Sequence, residues 1–286
     1  MESIREIHRV LRSKPTMEGA GVRLRRAFGF HEVPLLDPFL LLDDFGSDNP
    51  DDYLAGFPWH PHRGIITVTY MLGGRVRHED SLGNQGVIES GDLQWMNAGS
   101  GIIHQEMPEQ HENSLKGFQL WINLPASHKM MQPSYQDITA KKVPEIKLQN
   151  GSIIKLIAGN MNGFQGPVNV MFHDTEYLDV QIAPKQTFKH SVKTDYTVLA
   201  YILKGEGIFS PTSEKSISNE HLVLYNKTGD QVIIQAGDTP LHFLLISGKP
   251  ISEPIAWYGP IVMNTDGELK SAFEEYRAGT FLKHKI

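Results

Sequence analysis

The 286-residue chain contains no cysteine. That excludes disulfides, thiolate metal sites such as zinc ribbons, and thiol nucleophiles, and it fits a reducing compartment. Long apolar runs are also missing. The opening Met1-Glu2-Ser3-Ile4-Arg5-Glu6-Ile7 lacks the apolar stretch of a signal peptide, and no later segment is apolar enough for a membrane-spanning helix. Positive charge is not in excess. With 27 Lys and Arg against 33 Asp and Glu, the net charge is −6. The broad basic footprint required for DNA or RNA is therefore absent. A cytoplasmic protein with no membrane or direct nucleic-acid partner is expected.

What is present is globular: 40% hydrophobic and 21% charged residues, in a length that suits two domains. Short stretches rich in β-branched residues recur between Gly and Asp turns. Ile65-Ile66-Thr67-Val68-Thr69-Tyr70-Met71-Leu72 ends at Gly73-Gly74, and Lys116 to Leu124 alternates as a strand does. This rhythm predicts an all-β sandwich or barrel. It breaks near Pro125 to Pro144 and returns from Ile153 to Leu245. The expected division is a first domain over 1–135, a connector over 136–150 and a second domain over 151–286. Asp266 to Phe281 carries helix signals, with Asp266 as the expected N-cap and Gly279 past the end. Asp43-Asp44 reads as turn chemistry, and His78-Glu79-Asp80 as a solvated approach to a turn.

Two motifs carry chemistry. Trp59-His60-Pro61-His62-Arg63-Gly64 and His104-Gln105-Glu106-Met107-Pro108 each place two potential ligands one residue apart. Residues i and i+2 of a strand share a face. His60 with His62, and His104 with Glu106, therefore project as pairs. If both strands face one pocket, three imidazoles and a carboxylate converge, a donor set for Fe(II), Mn(II), Ni(II), Cu(II) or Zn(II). Gln119 and Trp121 share a strand face and are candidates for the same pocket.

The chain also repeats. Tyr70 to Gly74 resembles Tyr201 to Gly205. Gly91-Asp92, Ala98-Gly99 and His104 match Gly229-Asp230, Ala236-Gly237 and His242 in spacing. Counted from the shared Tyr, His60 and His62 fall opposite Ser191 and Lys193, and in the second alignment Glu106 falls opposite Leu244, so a metal-bearing first domain and a metal-free second one are expected.

The stretch from Gly91-Asp92-Leu93-Gln94-Trp95 through Ile103-His104-Gln105-Glu106-Met107-Pro108, together with Trp59 to Gly64, Leu120-Trp121-Ile122-Asn123-Leu124-Pro125 and Tyr258 to Thr265, resembles the pirins, a branch of the cupin superfamily. The resemblance covers nearly the whole chain. It implies a bicupin, two antiparallel β-barrels packed face to face with the metal in the first. Its ligands fall on His60, His62, His104 and Glu106. One departure is Ile66, where pirins often carry Glu. The resemblance also implies Fe(II) and quercetin 2,3-dioxygenase activity on a flavonol-like substrate with O2; in that reaction Glu106, on the metal edge, is expected to accept the proton of the 3-hydroxyl. The rival expectation is an iron-binding, redox-sensitive transcription co-regulator with a protein partner.

Overall fold

The computed structural model describes residues 3–110, 114–168 and 174–284. The chain folds into two compact units, and the termini are exchanged between them. One unit comprises residues 14–140 with 251–286, and the other residues 1–13 with 141–250. The linear division expected from the rhythm of the sequence differs at both ends. The strand Ile7–Arg12 pairs with His221–Tyr225. Just before it, fully buried Arg5 donates to the carbonyls of Gly229, Tyr196 and Asn226 at 3.0, 2.7 and 3.0 Å. The expected connector also carries structure. Ser134–Ile138 pairs with Leu93–Asn97, and Glu145–Lys147 with Ile153–Ala158.

In the unit built on 14–140, a seven-stranded antiparallel sheet runs in the order Ser134–Ile138, Leu93–Asn97, Ile65–Gly73, Lys116–Asn123, Phe39–Asp44, Val22–Phe28, Lys14–Glu18. A four-stranded sheet follows the order Phe57–His62, Ile102–Glu109, Arg75–Asp80, Gln85–Glu89. Apolar side chains of both sheets, among them Val22, Leu24, Met71, Val76 and Ile88, form one buried cluster, which supplies the hydrophobic gain of the fold. The second unit repeats the plan with sheets of seven and four strands. Its larger core includes Phe188, Phe209 and Phe243.

The topology confirms the internal repeat but corrects one part of its alignment. Thr197–Lys204 takes the place of Ile65–Gly73, as the shared Tyr requires. His242, however, lies on Leu241–Gly248, whose place in the sheet matches Lys116–Asn123 and not the His104 strand. The matched spacing joins strands that are not equivalent: Gly91-Asp92 precedes Leu93–Asn97 of the seven-stranded sheet, whereas Gly229-Asp230 precedes Gln231–Ala236 of the four-stranded one. His242 Nε2 meets the buried Asp179 carboxylate at 2.5 Å.

The α-helix spans Asp266–Arg277. Its N-cap is Thr265, one residue before the expected Asp266. Thr265 accepts from the Glu268 N–H, and the Glu268 side chain returns to the cap backbone, a reciprocal pair that satisfies two otherwise orphaned donors. The helix stops short of Phe281, which is needed elsewhere. Its ring lies 4.2 Å beneath the Arg63 guanidinium, and its carbonyl accepts from Arg63 at 2.8 Å. Among the described residues, no helix is long and apolar enough to cross a membrane.

Candidate metal centre

The strands Phe57–His62 and Ile102–Glu109 are neighbours, with His104 directly opposite His60. The ladder shifts between His104 and Glu106, where Glu106 falls opposite Phe57. Such a bulge re-aims side chains. Along Ile102–Glu109 burial alternates strictly, placing His104 and Glu106 on the inner face. The turn after His62 needs glycine. Gly64 has φ +77°, and a Cβ there would stand 1.9 Å from the Val262 carbonyl oxygen. Lys129 Nζ, buried beneath this turn, donates to the Gly64 and Val262 carbonyls and to Asn123 Oδ1. Burial lowers its pKa to about 7, while Glu253 and Glu268 act in the opposite direction.

Three imidazoles converge. His60 Nε2 lies 3.1 Å from His62 Nε2 and 2.9 Å from His104 Nε2. His60 Nδ1 is 2.9 Å from the Pro58 carbonyl, and His62 Nδ1 is 3.2 Å from the Pro260 carbonyl. A carbonyl only accepts, so each Nδ1 carries the proton and each Nε2 of the neutral ring presents a lone pair. Protonation cannot relieve the facing lone pairs cheaply. Burial, then the neighbouring imidazoles, holds His62 and His104 well below the usual histidine value. A cation resolves the conflict. Nitrogens about 2.1 Å from one ion and at right angles around it stand about 3.0 Å apart. The carbonyl partners are the outer supports that set ligand tautomers in metal sites. The residues present therefore fit a divalent metal.

Among the described residues the converging group is His60, His62 and His104. Glu106 is buried on the same face, but its oxygens accept from Thr69 Oγ1 at 3.0 Å and Gln119 Nε2 at 2.9 Å. Gln119 Oε1 in turn accepts from Trp121 Nε1–H at 2.9 Å. The expected pocket roles of Gln119 and Trp121 are thus seen as contacts.

A cavity of about 770 Å3 opens on the site, walled by Phe30, Phe57, Trp121 and Trp257 beside His60 and His62. The Trp121 ring stands edge-on to His62 at 5.0 Å. A smaller pocket beside Glu106 shares Asp43, Phe57 and Gln119 with this cavity. Asp43 is not in a turn. It ends the strand Phe39–Asp44 almost wholly buried and takes a bidentate hydrogen bond from Arg26 at 2.8 and 2.7 Å. His78 and Asp80 are not solvated either. Both are buried: Asp80 caps the turn at Leu82 and Asn84, and His78 meets the Tyr135 hydroxyl. Arg26, Asp43, Thr69, Trp257 and Pro260 were not foreseen at the site. The one signal was Asp43, an acid within an apolar run.

Paired seven- and four-stranded sheets in each unit, with a histidine cluster in one, define a two-domain cupin-type protein built around a candidate metal site. Residues 21–122 match the Pirin family and residues 177–282 the Pirin C-terminal cupin domain; the chain belongs to the pirin family. A pirin-like protein of Caulobacter vibrioides is 41% identical over 97% of this chain and 99% of its own length. The crystal structure of a quercetin 2,3-dioxygenase from Acinetobacter baumannii superimposes with a TM-score of 0.91 at 31% identity, covering 98% of this chain and 99% of that one. An Escherichia coli pirin in complex with nickel(II) shares the fold, with a TM-score of 0.64 at 21% identity over 85% of this chain and 98% of that one.

Proposed function

We propose that this protein is a metal-dependent dioxygenase of the quercetin 2,3-dioxygenase type, which opens a flavonol ring with O2. The observation that carries the reading is the convergence of three imidazole Nε2 atoms beside an aromatic-walled cavity of about 770 Å3, a size that suits a flat ligand of drug-like dimensions. The Acinetobacter protein described as a quercetin 2,3-dioxygenase, with its nearly superimposable fold, supports it. His60, His62 and His104 would hold the metal, with Glu106 as fourth ligand and base. Fe(II) suits a set of imidazoles with one carboxylate, and Ni, Mn, Cu or Zn are compatible with the same donors.

When bound, the metal supplies Lewis acidity at the flavonol 3-oxygen and redox chemistry toward O2. The protein does the rest. The walls Phe30, Trp121 and Trp257 hold the rings by apolar contact and exclude water. Glu106 takes the proton of the 3-hydroxyl. Thr69 and Gln119 occupy one lone pair on each of its oxygens, so the carboxylate keeps acceptor capacity while its orientation is set. Trp121 orients Gln119, which joins the ring-binding wall to the base. Aerobic incubation of iron-loaded protein with quercetin tests the reading. Loss of flavonol absorbance with release of carbon monoxide is expected; neither change, in protein shown to contain metal, would overturn it.

A further inference from the structure

We propose that Arg26, held between Asp43 and Glu18 on the cavity wall, selects uncharged hydroxyl-bearing aromatic substrates and rejects carboxylated ones. The inference rests on the flavonol reading of the site and deepens it.

The wall begins in strand register. Arg26 lies opposite Asp43, Asp43 opposite Gln119, and Gln119 opposite Thr69, across four adjacent strands. Directly opposed residues share a face of the sheet. This row therefore starts at the cavity wall and ends at the two groups that grip Glu106. Arg26 thus shares a sheet with the two side chains that hold the Glu106 carboxylate, which itself stands on the four-stranded sheet, so the wall and the base are set a fixed distance apart along the ligand.

Donor counting gives the chemistry. Arg26 Nε and Nη2 donate to Asp43 at 2.8 and 2.7 Å, and Nη2 also meets Glu18 at 2.9 Å. These contacts use three of the guanidinium's N–H groups. No hydrogen bond among the described residues engages Nη1, and Arg26, Asp43 and Glu18 all line the cavity. Two carboxylates against one guanidinium leave the wall with an excess negative charge. A phenolic hydroxyl accepts from Nη1 and donates to a carboxylate oxygen, so it satisfies both kinds of group. A ligand carboxylate accepts only. It can accept from Nη1, but it faces Asp43 and Glu18 as like charges and offers their oxygens no donor. A vicinal pair of hydroxyls matches the wall best.

The test is an equilibrium titration of anaerobic, metal-loaded protein, read by quenching of tryptophan fluorescence. Three flavonols are compared, whose pendant ring is dihydroxylated, unsubstituted or carboxylated. The dihydroxylated ligand is expected to bind at least about tenfold more tightly than the unsubstituted one, as a hydrogen bond to a charged group requires, and the carboxylated one most weakly. Glu18 is half-exposed, so Glu18→Gln is expected to fold normally. It should strengthen binding of the carboxylated ligand by about threefold or more through loss of a like charge, with little change for the unsubstituted ligand. Asp43→Asn, close in size, should act in the same direction. Equal binding of the dihydroxylated and carboxylated ligands, or no response to Glu18→Gln, overturns this inference alone. If none of the three binds wild-type protein, the flavonol reading falls and this inference with it.

Discussion

Replacing Arg63 with alanine should separate the C-terminal segment from the strand that carries His62. Arg63 is almost fully buried. Its side chain makes three contacts with that segment. It donates to the Phe281 carbonyl at 2.8 Å, stacks on the Phe281 ring at 4.2 Å and pairs with Glu275 at 2.8 Å. A charged hydrogen bond contributes about 1.5–3 kcal/mol and a desolvated cation–π contact about 1–2 kcal/mol. The Glu275 pair adds about 1 kcal/mol at most, because that carboxylate is 30% exposed and keeps Lys283 as a partner. The loss should be about 3–5 kcal/mol, since these contributions are not strictly additive. Arg63→Met, which keeps much of the stem packing, should recover about 1 kcal/mol. Urea unfolding of metal-free protein, followed by tryptophan fluorescence, measures the transition of the unit containing Arg63. Metal affinity should fall in the same variant, because Pro260, the partner of His62 Nδ1, belongs to the segment released. A loss under about 1 kcal/mol with undiminished metal binding would refute the idea that this latch organises the site.

His104→Ala should abolish both metal retention and flavonol turnover, whereas Glu106→Gln should retain metal on the three imidazoles and lose turnover; elemental analysis beside an oxygen-consumption assay separates the two. Acid should destabilise the metal-free protein through His62 and His104, whose pKa values burial holds well below 6.5. Below about pH 6.5 the unfolded chain binds protons that the folded chain refuses, so stability should fall with pH down to the folded pKa values, by about 1.4 kcal/mol per pH unit for each imidazole. A flat profile between pH 6.5 and 5 in urea unfolding contradicts this, and His62→Gln should halve the slope. Gly64→Ala should lose at least about 1–2 kcal/mol from its left-handed backbone alone and weaken metal binding further, because the added Cβ meets the Val262 carbonyl at 1.9 Å; unchanged thermal stability would count against it.

Local pattern alone was enough for the all-β class, the repeat, the C-terminal helix and the pairing of His60 with His62 and of His104 with Glu106. Alternation along a strand is a property of the backbone and needs no knowledge of neighbours. The tertiary structure decided what alternation cannot. It set strand pairing at long range, which exchanged the termini between the units and placed His242 on a strand unrelated to that of His104. It turned Asp43 from an expected turn residue into the buried partner of Arg26, because opposition across strands depends on register and not on sequence distance. It also gathered three imidazoles into one cluster while Thr69 and Gln119 held the Glu106 carboxylate beside it. Which side chains share a face is written along each strand; which faces meet depends on how the strands pair and pack.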